Sequence, residues 1–125
     1  MKKLILILFG LLISNLLEAQ SWSIFSIGTT ENLNKVYFTN DTTGFILGDN
    51  GLLLLTLNSG NTWDTVTTNV LHDLSTISFA NEEVGYINGL KTLDGGATWI
   101  PQASSEIYGF MYAYDENRIM AGHGS

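Results

Sequence analysis

The chain has 125 residues, a formal net charge of −7 and no cysteine. The missing cysteine excludes disulfides, thiolate metal sites and a lipid-modified cysteine. The acidic balance repels phosphate backbones and anionic lipid heads, which excludes nucleic acid as a partner, and the scattered acids read as a solvated surface.

Residues 1–20 read as a cleaved signal peptide with a helical apolar core. Lys2 and Lys3 open it, and Leu4 to Leu17 is an apolar run broken only by Gly10, Ser14 and Asn15. Ala19 then offers a small residue for cleavage within 19–21. The run is fourteen residues long, short of the ~20 a helix needs to span a bilayer, so no stable membrane insertion is expected after cleavage. The remaining residues 21–125 carry three basic side chains (Lys35, Lys91 and Arg118) against eleven acidic ones, a net charge of −8. An exported chain without disulfides fits a bacterial protein that is secreted, periplasmic or held at the cell surface.

From Trp22 onward the chain repeats itself. A shift of 41 residues places Trp22 on Trp63, Leu33 on Leu74, Val36 on Ile77, Phe38 on Phe79 and Asn40 on Asn81. The same shift places Gly44 on Gly85, Phe45 on Tyr86, Ile46 on Ile87 and Gly48 on Gly89. A period near forty residues signals stacked supersecondary units, propeller blades among them.

In chain order, 22–27 is expected to supply a single outer blade strand. A first blade covers 33–68. Lys35 to Thr39 alternates like a strand with one buried face, Asn40 to Gly44 is a turn-rich connector, and Phe45 to Leu47 is the next strand. Gly48-Asp49-Asn50-Gly51 is a tight-turn signal, because Asn-Gly takes the positive φ angles of a two-residue hairpin. The apolar run Leu52 to Thr56 reads as a strand covered on both faces, and Trp63 to Thr67 as the fourth strand. The second blade, 74–103, has only Leu90 and Lys91 between Gly89 and Thr92, so its inner hairpin is expected to be clipped and irregular. A third unit over 107–125 stops inside a hairpin at Gly122. The expected fold is therefore all-β: a partial β-propeller of about two and a half antiparallel four-stranded blades. Two and a half blades cannot close a ring, so the chain reads as the N-terminal fragment of a longer protein that supplies the remaining blades, with open strand edges that invite self-association.

The most conspicuous element is a turn that occurs twice, as Thr56-Leu-Asn58-Ser-Gly60-Asn-Thr62-Trp63 and as Thr92-Leu-Asp94-Gly-Gly96-Ala-Thr98-Trp99. Asn58 or Asp94 can accept backbone N–H groups further round the turn. Gly60 and Gly96 allow left-handed backbone, and Thr62 and Thr98 add a hydroxyl and favour the strand. Trp63 and Trp99 can fill the wedge between sheets and still bond through the indole N–H. Every residue in the motif has a structural task.

These two turns resemble Asp-box motifs, also called BNR repeats, with Asn58 in the place of Asp in the first. The surrounding pattern of Leu, apolar-x-Phe, Asn, Gly-aromatic and Gly resembles the photosystem II assembly/stability factor-like repeats of secreted bacterial proteins. The resemblance runs from Trp22 to about Gly122 and implies propeller blades, usually part of a larger ring. It does not imply one activity, because members range from assembly factors to sialidases and other glycoside hydrolases. Such sialidases hold the substrate carboxylate with several arginines, and this chain has one, Arg118.

A two-carboxylate glycosidase needs two acids facing one sugar. Asp41, Asp49, Asp64, Asp73, Glu82 and Glu83 are available, but none stands in a motif that demands the role. His72 beside Asp73, and His123 near the end, mark no nucleophile, and two distant histidines without cysteine form no zinc set. Asp49-Asn50-Gly51 lacks the further oxygen ligands of a calcium loop. No cofactor, metal or catalytic residue is expected. The favoured reading is a non-catalytic exported scaffold that binds a protein or glycan. The alternative is the N-terminal part of a sialidase-like Asp-box glycoside hydrolase whose catalytic residues lie elsewhere.

Overall fold

The computed structural model describes residues 24, 26–102 and 110–122. The expected leader 1–20, Trp22, the start of the third unit at Ile107 and His123 lie outside the described residues. Within them the chain is all-β. Strands β1 (Leu33–Phe38), β2 (Gly44–Gly48), β3 (Leu53–Thr56) and β4 (Asp64–Thr65) form one antiparallel meander in the order β1-β2-β3-β4. A second meander of the same order is made by β5 (Ile77–Phe79), β6 (Gly85–Ile87), β7 (Leu90–Thr92) and β8 (Ile100–Pro101). A hairpin of β9 (Phe110–Asp115) and β10 (Arg118–Gly122) follows. This is a partial β-propeller of two four-stranded blades and part of a third.

Register explains the repeated glycines. Phe38 pairs with Gly44, and Phe79 with Gly85. Each ring lies flat over its glycine partner, so a Cβ at Gly44 would come within 2.6 Å of the Phe38 ring and one at Gly85 within 2.7 Å of the Phe79 ring. An aromatic side chain thus covers backbone that no side chain could share.

The inner hairpins reverse the expectation. In the second blade Asn88 (φ 32°) and Gly89 (φ 83°) alone join β6 to β7, and Ile87 pairs directly with Leu90. This is the regular two-residue hairpin, and not an irregular one, because Asn-Gly supplies both positive φ angles that match the twist of the strands. In the first blade Asn50 (φ 56°) and Gly51 (φ 74°) also lie in the left-handed region, but they sit in a longer connection, with Leu47 paired to Leu53. The fourth strand shrinks from the expected 63–67 to Asp64–Thr65, as an outer strand with one neighbour has little ladder to hold it.

The core lies between the two blades. Phe45, Leu47 and Leu53 of the first meet Ile77, Ile87, Leu90 and Trp99 of the second, with Leu74 from the connector between them. Burying each such side chain is worth about 1.5–3 kcal/mol, which makes blade-on-blade packing the main source of stability. Phe45 stacks on Phe79 at 5.2 Å and meets Trp99 edge-on at 6.2 Å. The connector is tied down by backbone groups. Leu74 N–H donates to the Gly48 carbonyl (3.0 Å), the Thr68 hydroxyl donates to the Gly51 carbonyl (2.9 Å), and the Asn34 amide donates to the Leu74 carbonyl (3.1 Å). A smaller cluster of Val84, Tyr86 and Ala113 joins blade 2 to the third hairpin.

Candidate functional site

The two motif turns join the third and fourth strands of their blades and are built alike. In the first, the Thr56 hydroxyl accepts from the N–H groups of Asn58 (3.3 Å) and Gly60 (2.9 Å), and itself donates to Asn58 Oδ1 (3.0 Å). Asn58 Oδ1 also accepts from Thr62 N–H at 2.9 Å. In the second, Thr92 and Asp94 make the same set at 2.8 to 3.3 Å, including Thr98 N–H to Asp94 Oδ1 at 2.9 Å. The Asn-for-Asp difference reverses one bond. The Asn58 amide donates to the Thr62 hydroxyl at 2.8 Å, whereas the Thr98 hydroxyl donates to Asp94 Oδ2 at 2.5 Å. That hydroxyl, followed by the Thr98 N–H, holds the Asp94 carboxyl below the usual carboxylate range. Gly60 (φ 85°) and Gly96 (φ 93°) carry the left-handed backbone.

The two tryptophans part company. Trp99 is 5% exposed and donates its indole N–H to the Gly96 carbonyl at 3.0 Å. Trp63 is half-buried, and among the described residues its indole N–H has no partner. The expectation that both would bond through the indole holds for one of them.

The acidic residues are spread over turns and strand ends. Asp41, Asp64, Asp73, Glu82 and Glu83 are exposed. Asp49 is half-buried and accepts from the side-chain amides of Asn32 and Asn34, both at 2.8 Å, which hold its carboxyl below the usual range. Asp73 accepts the Asn50 N–H at 3.1 Å. His72 reaches the Asn88 carbonyl through Nε2 at 3.2 Å, so that nitrogen carries the proton. Among the described residues no three His, Cys, Asp or Glu side chains gather as a metal set. Arg118 pairs with Asp115 and lies over the Tyr114 ring, 4.5 Å from its centroid.

A recess of about 250 Å³ lies between blade 2 and the third hairpin, lined by Tyr86, Leu90, Lys91, Gln102, Met111 and Ile119 among others. The Tyr86 hydroxyl donates to the Glu116 carbonyl at 2.8 Å, and Lys91 Nζ donates to the same carbonyl at 3.1 Å while sitting over the Tyr86 ring.

The family of the photosynthesis system II assembly factor YCF48 matches residues 14–107. The chain belongs to this family. A solved structure of YCF48 bound to D1 peptide is similar over 84% of this chain, with a TM-score of 0.69 and 23% identity. YCF48 from Cyanidioschyzon merolae is similar over the same share, with a TM-score of 0.64 and 22% identity. The chain spans 38% and 35% of the length of those two chains. At such identity the likeness is one of fold. No curated protein matches.

The structure adds a role to a motif residue already expected to be structural, and a second residue outside the motif. The first threonine of each turn, Thr56 or Thr92, is fully buried and organises the loop as much as the acid does. Asn88 is also buried; its Oδ1 accepts the N–H groups of Ser75 (2.7 Å) and Thr76 (3.0 Å), clamping the entry of blade 2. The repeat at Thr56 and Thr92 is the signal for the first. Asn88 has no counterpart at the repeat distance, where Leu47 stands, so the repeat does not mark its clamping role.

Proposed function

We propose that this chain contributes blades to an exported, non-catalytic propeller that holds a segment of another protein during assembly. Membership of a family described as an assembly factor carries the reading. The structure of YCF48 with a D1 peptide supports it, because a fold of this kind there receives a peptide. The recess beside Tyr86 and Lys91 is the proposed contact for the peptide. Export belongs to the proposal through the leader at Leu4 to Leu17, with secretion, the periplasm or the bacterial cell surface as the destination.

The test is a peptide array probed with the whole chain, beside a glycan array and a panel of glycosides. Binding to peptides that weakens on Lys91→Ala, with no hydrolysis, is the expected outcome. Hydrolysis of a glycoside, or binding to glycans alone, refutes the reading.

A further inference from the structure

A groove of about 200 Å³ runs between blades 1 and 2, beside the turns that join β1 to β2 and β5 to β6. Tyr37 and Thr39 line it from one blade, and Phe79, Asn81 and Glu82 from the other. Tyr37 pairs with Phe45 across the first two strands, and Phe79 stacks on both rings, at 6.0 and 5.2 Å. Phe45 is fully buried, whereas Tyr37 and Phe79 are half-buried. The floor of the groove is therefore aromatic, and the core between the blades holds it from beneath.

Its rim is acidic. Asn40 Oδ1 accepts the N–H groups of Thr42 (3.0 Å) and Thr43 (2.8 Å), and Asn81 Oδ1 those of Glu83 (2.9 Å) and Val84 (2.8 Å). Each turn is closed by its own asparagine, and Asp41, Glu82 and Glu83 are left exposed on the two turns. No Lys or Arg occurs in residues 39–44 or 80–85. Lys35 stands two residues before Tyr37 on β1, yet among the described residues it neither pairs with Glu82 nor lies over the Tyr37 ring.

The third hairpin shows what an aromatic ring and a carboxylate hold when they stand together. There the Arg118 guanidinium lies over the Tyr114 ring, 4.5 Å from its centroid, and pairs with Asp115. A planar cation can stack on a ring and still present its N–H fork to a carboxylate, which a compact ammonium cannot.

We propose that the groove between blades 1 and 2 receives an arginine side chain of a partner polypeptide, with the guanidinium over Tyr37 and its fork on the Glu82 carboxylate. The groove has room for one such side chain, its floor offers the ring face, and its rim carries the complementary charge. The formal charge of −7 draws cations toward the chain as a whole. The polypeptide source rests on the assembly role proposed above. The guanidinium seat itself rests on Tyr37 and Glu82, apart from the recess beside Lys91.

The test follows the whole chain, labelled with 3-fluorotyrosine, by fluorine NMR, with the Tyr37 signal assigned by its loss in Tyr37→Phe. The probes are the capped peptide Gly-Gly-Arg-Gly-Gly and the same peptide with citrulline, which keeps the shape of arginine without its charge. The arginine peptide is expected to shift the Tyr37 signal saturably, and the citrulline peptide to bind about tenfold more weakly. Glu82→Gln, on an exposed turn, is expected to weaken the arginine peptide about threefold, and added NaCl to weaken it as well. A Tyr37 signal that the arginine peptide leaves in place, equal binding of the two peptides, or an affinity that Glu82→Gln does not change overturns the proposal. So does a shift confined to Tyr114, the sign that the peptide only displaces Arg118. Failure here leaves the peptide-array result at Lys91 standing, whereas failure of both removes the assembly role.

Discussion

Truncating the two repeat tryptophans separates packing from motif. Trp99→Ala removes an indole that is 5% exposed, lies edge-on to Phe45 at 6.2 Å and to Phe79 at 6.1 Å, and donates to the Gly96 carbonyl. Loss of so large a core group, with partial collapse of the space left behind, costs ~3–5 kcal/mol. Trp63→Ala removes a half-buried ring that, among the described residues, has one aromatic neighbour, Phe38, and no indole bond, so its cost is roughly half, ~2 kcal/mol. Urea unfolding followed by far-UV circular dichroism measures both, since tryptophan fluorescence is altered by the substitutions themselves. Equal m-values in the three proteins are required before midpoints are compared. A Trp99→Ala cost below ~1 kcal/mol, or equal costs at the two sites, would falsify the account of blade 2 as the receiving half of a packed junction.

Thr92→Val keeps the shape of a fully buried side chain but strips the acceptor for the Asp94 and Gly96 N–H groups; a loss of ~1–3 kcal/mol is expected from the same unfolding assay, and no loss would show the hydroxyl to be dispensable. Gly60→Ala and Gly96→Ala share the left-handed strain of φ 85° and 93°, worth ~1–2 kcal/mol each. Gly96→Ala must also displace the Phe45 ring, adding ~1–3 kcal/mol, so the two variants should differ in thermal midpoint. Asp94 has a depressed pKa in the folded state, so its contribution is present above the unfolded carboxylate value of about 3.9 and is lost as pH falls through the lower folded value. Asp94→Asn, the residue the first turn carries as Asn58, should therefore flatten the loss of stability below about pH 4 and leave the slope above it unchanged; parallel curves throughout refute the linkage.

Periodicity and turn chemistry are local, and that decided what could be read early. The Gly44 and Gly85 positions and the two Asp-box turns each depend on residues within one hairpin, and the 41-residue register repeats them from blade to blade, so the blades and their order are legible. The short length of the second inner hairpin points to an irregular turn, whereas its Asn88-Gly89 pair supplies the two positive φ angles that a regular one needs. Of the proposed contacts, Lys91 and Tyr86 were invisible as a pair with Glu116, 25 and 30 residues away.

By itself the sequence determined the strand pattern, the repeat and the Asp-box turns, since these follow from side-chain alternation and backbone preference over a few residues. Only the tertiary structure decided that equivalent residues have unequal roles. Trp63 and Trp99 share one motif, yet Trp99 is buried beneath Phe45 and Trp63 is half-buried beside Phe38. The difference comes from the neighbouring sheet. A residue's burial is set by what packs against it from another blade, and no local pattern encodes that.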